Sequence, residues 1–372
     1  MGTATIPVFV AAGDPSGDIA GSHLIRRLKD KNDKLIFIGL GGQRMRREGQ
    51  EQLIDGSSLA VLGFWEVARK ALFFRKLFAR TVALIEKARP AVVVLIDYPG
   101  FNLKLAGKVR TMNIPIVYYI SPQIWAWGAR RMAAIKRSVD LMLVILPFEK
   151  KLYDNAGVSC RFVGHYLLDD IDKAFIKADY NVHSDLITLM PGSRPQEVRR
   201  MLPVLLDAAG LLCAGGKRRF AVAGVSGNID YESSLRRSRV PVDLVFGKTR
   251  ELIAESRLVL TSSGTATLEA GIIGRPMVVI YKTGVITYTI ARFLVKLNKI
   301  ALINIAAGRR IVPELVQYAA TPERIARAAA AFLENDELSL KVTAELNRVV
   351  DTLGSKGAAD RAADAVREYL QC

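Results

Sequence analysis

Cysteine is scarce. Cys160, Cys213 and Cys372 are the only three in 372 residues, and none stands at a metal-like spacing from another. A disulfide framework and a zinc site are set aside, and a reducing compartment fits. Histidine is as scarce, with His23, His165 and His183, and no cluster of acidic or histidine ligands suggests a metal ion. No apolar run reaches the ~18 residues that a membrane-crossing helix needs. MGTATIPVFVAAGD at the N-terminus has no basic leader before its first apolar run, so no signal peptide is expected. Acidic residues are in deficit, 36 against 53 Lys and Arg, which leaves a net charge of +17. A surface of that sign attracts polyanions: nucleic acid, anionic lipid or phosphorylated substrates. What is abundant is apolar: 50% hydrophobic against 24% charged residues excludes a disordered chain.

The length suits two domains. Short apolar runs alternate with longer helical patterns: IPVFVAA (6–12), LIFIGL (35–40), AVVVLID (91–97), IPIVYYI (114–120), DLMLVIL (140–146) and CRFVG (160–164). Such runs, continuous rather than alternating, fit parallel strands buried on both faces. The pattern lapses over 166–185 and resumes at LITLMPG (186–192), RFAVAG (219–224), VDLVFG (242–247), RLVLTSS (257–263) and PMVVIYK (276–282). The expected fold is α/β, with two Rossmann-like doubly wound domains facing a central cleft. Residues 1–165 form an N-terminal domain, completed by a C-terminal helix over 355–372. Residues 166–185 form the linker, and 186–350 form the second domain. Ligands of such sheets sit beyond the carboxyl ends of the strands, so chemistry is sought in the loops there.

The first loop, AAGDPSGDIAG (11–21), joins glycines for a tight turn to Ser16 or Asp18 as a cap for the next helix. AVVVLID ends on Asp97, before YPGFN. A carboxylate at that edge is suited to accept a proton when partly buried, and Asn102 adds a polar group nearby. In the second domain LMPGSRPQEVRR (189–200) offers the backbone N–H groups of Gly192 and Ser193 beside the Arg194 guanidinium, a geometry fit for a diphosphate. TSSGTATLEAGIIGRP (261–276) opens a helix behind Ser263, Gly264 and Thr265, whose free N–H groups favour phosphate oxygens. Glu269 on its second turn suits a pair of ribose hydroxyls. In INIAAGRRIVPELVQ (303–317), Asn304 ends a strand-like run, and Gly308 and Arg309 precede a helix carrying Glu314 and Gln317.

Two stretches read as basic amphipathic helices, the second being ITYTIARFLVKLNKIALI (286–303), with Arg292, Lys296 and Lys299 among apolar residues. In LGFWEVARKALFFRKLFAR (62–80), Phe64, Phe74 and Phe78 share one face, with Arg69, Lys76 and Arg80 opposite. Trp65 lies in the same stretch, and Phe73 and Leu77 are expected to stay exposed beside the basic face. Phe64, Trp65, Phe73, Phe74 and Phe78 are therefore candidates for contact with a membrane or an acyl chain. A core-packing helix with a solvated basic back is the competing reading.

AGDPSGD (12–18), IDYPGFN (96–102), YYISPQIWAW (118–127), LPFEKKLYDNAGVSCRFVGH (146–165), PGSRPQEV (191–198), SSGTATLEA (262–270) and NIAAGRRIVPELVQ (304–317) occur in the order and spacing of the lipid-A-disaccharide synthases, which the chain resembles from about residue 8 to residue 320. The resemblance implies a GT-B type, inverting, metal-independent glycosyltransferase without cofactor. It would join UDP-2,3-diacylglucosamine to 2,3-diacylglucosamine 1-phosphate, giving the β-1,6-linked tetraacyl disaccharide 1-phosphate and UDP. Asp97 matches the aspartate suspected as the family's base. Arg194, Glu269, Asn304 and Gln317 match positions tied to the donor or to activity, beside Gly192, Ser193, Ser263, Gly264 and Thr265. Asp14, Ser16, Gly17, Asn102, Trp125 and Trp127 are expected at the acceptor. Two positions depart from the pattern: Asp14, where Glu is usual, and Gly100, where Asp is common. A cytoplasmic protein peripheral to the anionic inner face of the inner membrane follows, with a homodimer admitted and no nucleic-acid partner.

Two rivals remain at this point. One is another UDP-sugar enzyme of the same architecture, an epimerase of UDP-N-acetylglucosamine or the lipid-linked peptidoglycan transferase. The other is a basic nucleic-acid-binding protein, which would need a basic stripe interleaved with stacking aromatics. No RNA- or DNA-binding motif is present.

Overall fold

The computed structural model describes residues 5–55, 71–122, 129–213, 218–284 and 299–370. It divides into two compact units, Met1–Asp170 with Leu353–Cys372, and Ile171–Thr352.

The first unit runs β1 Ile6–Ala12, α1 Pro15–Lys31, β2 Leu35–Gly41, α2 Gln43–Arg47, β3 Gln50–Asp55, α3 Ala71–Ala88 and β4 Val92–Ile96. It continues through α4 Pro99–Val109, β5 Ile116–Tyr119, α5 Ala129–Ser138, β6 Leu141–Val144, α6 Pro147–Asn155, β7 Cys160–Phe162 and α7 Leu167–Asp170. Its strands form one sheet in the order β3-β2-β1-β4-β5-β6-β7, parallel at every step. VVVLI of β4 is buried at every position, because helices cover both faces and the β-branched side chains pack on the pleat. Phe9, Leu95, Ile116, Tyr118 and Tyr153 belong to one apolar core. The C-terminal helix, Ala358–Arg367, packs on α1. Its start is tied down by Asp169, whose carboxylate accepts from the Gly357 and Ala359 N–H groups at 2.6 and 2.9 Å.

The second unit runs β8 Leu186–Met190, α8 Pro195–Cys213, β9 Arg219–Gly224, α9 Glu232–Leu235, β10 Asp243–Phe246, α10 Thr249–Glu255 and β11 Leu258–Ser262. Then come α11 Thr265–Ile273, β12 Met277–Tyr281, α12 Leu302–Ala306, β13 Glu314–Val316, α13 Pro322–Leu333 and α14 Asp336–Thr352. The sheet order is β10-β9-β8-β11-β12-β13, again parallel throughout. Two buried guanidiniums brace its lower edge. Arg257 bonds the Tyr180 hydroxyl, the Phe332 carbonyl and Asp336, and Arg275 bonds the carbonyls of Ala254, Ala178 and Asp179. Both lie 5.5 Å from the Tyr180 ring, and this dense partnering is what makes a buried cation tolerable.

Each sheet is doubly wound, so the fold is α/β with two Rossmann-like domains. In each, the chain reverses its direction of winding beside the first strand: between β1 and β4, and between β8 and β11. Those are the crevices where such sheets bind ligands. Two local expectations are corrected. Asn304 lies inside helix α12 rather than ending a strand, and Glu314 and Gln317 sit in β13 and a 3-10 turn rather than a helix. The physical reason is tertiary: Glu314–Val316 completes the edge of the sheet by pairing with β12.

Candidate functional site

At the crevice of the first sheet, β1 ends into Gly13 and Asp14, and β4 ends into Asp97 and Tyr98. Asp97 and Tyr98 are both left-handed, with φ of 44° and 48°, a conformation that costs non-glycine residues about 1–3 kcal/mol each. Three hydrogen bonds hold the kink. The Asp97 N–H donates to the Tyr119 carbonyl at 3.0 Å. The Asp97 carbonyl accepts from the Tyr118 hydroxyl at 2.6 Å and from Asn102 Nδ2 at 2.8 Å. Asn102 is buried and also donates to the Ile96 carbonyl at 3.1 Å, so its Nδ2 serves the backbone, while its buried Oδ1 has no hydrogen-bond partner among the described residues. Tyr98 lays its ring over Gly13, where a Cβ would meet the ring at 2.4 Å.

Asp14, not Ser16 or Asp18, caps α1: its carboxylate accepts from the Gly17 N–H at 2.7 Å. Ser16 is half-buried on the first turn, and a Cβ at Gly17 would sit 2.8 Å from the Asp14 carboxylate. Asp18 instead serves α2, accepting from the N–H groups of Gly42, Arg44 and Met45. Sequence distance hid this, since Asp18 and α2 are far apart along the chain.

The residue Asp97 as a whole is half-buried, but its carboxyl group is nearly enclosed, and that enclosure governs its proton affinity. Burial first, then the Asp14 carboxylate, and further Glu149, raise its pKa from 3.8 to about 7, against a lowering pull from the Tyr98 N–H. An aspartate so poised exchanges a proton near neutral pH.

At the crevice of the second sheet, the loop 191–194 leads into α8 and Ser263–Gly264 leads into α11. The first loop already holds an anion. Glu197 accepts from the Ser193 and Arg194 N–H groups at 3.1 and 3.3 Å and from the Arg194 guanidinium at 3.2 Å. Gly192, at φ 117°, makes room, since a Cβ there would meet the Glu197 carboxylate at 2.5 Å. The Ser193 N–H and the Arg194 guanidinium, two of the donors expected for a diphosphate, are thus occupied by the chain's own carboxylate in the manner of a capping box, with the Arg194 N–H in place of that of Gly192. Gly264 is the N-cap of α11, at φ 138°, and has no side chain to cap the helix. The Ser263 hydroxyl donates to the Ile300 carbonyl at 2.8 Å. Glu269 accepts from Arg250 Nε at 2.9 Å, both partly buried. Arg250 was not singled out from sequence; its signal is the Gly247–Lys248 break after β10, which marks another loop at the same edge.

Asn304 and Gln317 are buried and fully engaged. Asn304 donates to the Val312 carbonyl and to Glu314, and accepts from the Ile311 and Val312 N–H groups. Gln317 exchanges two hydrogen bonds of 3.0 Å with the Thr283 backbone. Glu314 accepts from the Ile300 and Ala301 N–H groups, both at 3.0 Å. The INIAAGRRIVPELVQ run is thus an internally braced unit that fixes Ile300, and through it Ser263.

Phe64, Trp65, Trp125 and Trp127 lie outside the described residues. On α3, Phe73 is 39% exposed and its neighbour Leu72 72% exposed. Leu77 was expected to be exposed but is 3% exposed, because α3 turns that side to the sheet. Phe74 and Phe78 are half-buried against the core, Phe78 edge-on to Phe101 with ring centres 5.6 Å apart. No helix among the described residues is long and apolar enough to cross a membrane.

The family model for lipid-A-disaccharide synthetase matches residues 8–368. Lipid-A-disaccharide synthase of Syntrophus aciditrophicus is 38% identical over 366 residues, 96% of each chain. That of Myxococcus xanthus is 37% identical over 372 residues, 98% of this chain and 97% of that relative. Among solved structures, S. aureus MnaA with UDP aligns at a TM-score of 0.69 and 12% identity, covering 99% of this chain and 97% of that one. UDP-GlcNAc 2-epimerase from Neisseria meningitidis bound to UDP-GlcNAc aligns at 0.63 and 12% identity, covering 98% and 100%. At that identity these two share the fold alone.

Proposed function

Because the chain belongs to the lipid-A-disaccharide synthetase family, we propose that Asp97 and the two anion-holding loops of the second unit carry its glycosyl transfer. The protein is a glycosyltransferase of lipid A biosynthesis that binds a UDP-sugar. It moves 2,3-diacylglucosamine from UDP-2,3-diacylglucosamine to 2,3-diacylglucosamine 1-phosphate, forming the β-1,6-linked tetraacyl disaccharide 1-phosphate and UDP.

In the proposed mechanism the acceptor 6-hydroxyl attacks the anomeric carbon on the face opposite UDP, and Asp97 takes its proton. As the glycosidic bond to UDP breaks, negative charge grows on the diphosphate. The Ser193 and Arg194 N–H groups, the Arg194 guanidinium and the start of α11 at Gly264–Thr265 stabilise it from fixed positions. Glu197 leaves these donors when the diphosphate arrives, because two anions cannot share them. Glu269, oriented by Arg250, takes the ribose hydroxyls. Asn304 and Gln317 act on the donor indirectly, by bracing the loops around Ser263 and Thr283. Asp14, Ser16 and Gly17 border the acceptor beside Asp97. Leu72 and Phe73, flanked by exposed Arg75 and Lys76, meet the acyl region of an anionic membrane at the cytoplasmic face.

The reading rests on one observation above others: at the crevice of the first sheet, where β4 ends beside β1, the chain presents Asp97 on a left-handed turn held by Tyr118 and Asn102. Asp97→Asn is expected to lower turnover by about 100-fold or more while UDP binding is retained. Near-normal formation of disaccharide by that variant, followed with both acylated substrates, would remove Asp97 as the base.

A further inference from the structure

We infer that Tyr118 is a positioning residue for the transfer reaction: its buried hydroxyl, together with the Asn102 amide, locks the left-handed backbone of Asp97 and thereby aims the carboxylate. The inference rests on the reading of Asp97 as the base.

Strand β4 is regular through Ile96 and then breaks at two consecutive non-glycine residues of positive φ, Asp97 and Tyr98. The sign of φ sets the direction of the Cα–Cβ bond. An extended Asp97 would continue the strand and send its carboxyl elsewhere. Aspartate visits this region more readily than most residues, whereas tyrosine does not, so local preference alone does not set the two-residue kink. It is imposed by the neighbouring strand. Tyr119 of β5 accepts from the Asp97 N–H at 3.0 Å, while the hydroxyl of Tyr118, the residue before it, donates to the Asp97 carbonyl at 2.6 Å. Asn102, one turn into α4, donates to the same oxygen at 2.8 Å.

Tyr118 is fully buried in the apolar core. A phenylalanine would fill that volume equally well, and the hydroxyl requires a partner there. Its partner is the carbonyl of the proposed base. The charged and titratable groups around the pair are Asp14 at the end of β1, Glu149 on α6 and Tyr98, with Tyr153 of α6 and Arg131 of α5 acting on the Tyr118 hydroxyl.

Tyr118→Phe removes one donor and leaves the packing. The kcat is expected to fall about 10- to 100-fold, with KM for both substrates within about twofold and UDP affinity unchanged. The acidic limb of the pH–rate profile moves to lower pH, because a carboxylate released from its enclosure is better hydrated. The double variant Asp97→Asn with Tyr118→Phe is no slower than Asp97→Asn alone, since Tyr118 acts through Asp97. A Tyr118→Phe enzyme with unchanged kcat and an unmoved limb, or a double variant with additive losses, overturns the inference. If Tyr118→Phe does not fold, Asn102→Ser removes the other donor and carries the same test. An active Asp97→Asn enzyme refutes the base itself. An inactive Asp97→Asn enzyme beside a normal Tyr118→Phe enzyme refutes only the positioning role.

Discussion

Asp97 shows how one side chain can be set against the stability of its own fold. The unfolded chain releases the proton near the ordinary 3.8, whereas the folded protein keeps it up to about 7. Between those values the folded state binds more protons than the unfolded state, so its stability falls as pH rises through the window. Above 7 the penalty is complete, and below about 4 it is absent. Asp97→Asn cannot ionise. Its melting temperature is therefore expected to exceed the parent's at pH 8, with the gap closing toward pH 4. A gap of equal size at both pH values would show that the carboxyl is not held protonated by the fold. Glu197 makes the complementary point: a carboxylate seated on two N–H groups and a guanidinium balances the positive charge of the loop that opens α8.

At the scale of elements, α3 divides its apolar residues between two tasks. Leu77 is buried and Phe74 and Phe78 lean on the core, while Leu72 and Phe73 remain open near its N-terminal end. Only the open pair is free for a bilayer. Leu72→Ser with Phe73→Ser is expected to weaken binding to vesicles containing anionic lipid by about 10-fold or more, from the lost transfer of two large side chains, with little change in melting temperature. Unchanged co-sedimentation would overturn the proposed membrane contact of this pair. The 299–317 segment is the contrasting case, because Asn304, Glu314 and Gln317 face inward. Glu314 bonds two backbone N–H groups and the Asn304 amide. Glu314→Ala strands those donors and is expected to cost about 1–3 kcal/mol, read as a lower urea midpoint of the second unit.

For the molecule as a whole, the two units have the same winding and different chemistry. The first carries a carboxylate pair at its crevice and the second carries amide and guanidinium donors. A ligand that binds only the native state stabilises it by about 2.7 kcal/mol at 100 times its Kd. UDP is expected to give that gain, and to protect amides at 191–197 and 263–269 from hydrogen exchange while leaving 96–102 unchanged. Arg194→Ala should abolish both effects. Protection centred on 96–102 would assign the nucleotide to the wrong unit.

Much of this was legible from local pattern. AVVVLID and LITLMPG read as buried parallel strands because their apolar residues are continuous. The loops after them read as sites because chain direction alone puts those loops at the carboxyl edge. The run at 303–317 was misread because apolar residues there suit helix and strand alike, and pairing with β12 decides between them. The hydrogen bonds that Asn304, Gln317 and Asn102 make to backbone carbonyls were not legible, because composition does not reveal which way an amide faces. The sequence by itself determined the order of strands and loops, the surplus of positive charge and the motifs of the family. Only the tertiary structure decided that β1 lies beside β4, so that Asp14 raises the pKa of Asp97, and that β5 grips the backbone of Asp97 in a left-handed turn. Strand adjacency joins residues some 80 positions apart, and neither propensity nor periodicity reaches that far.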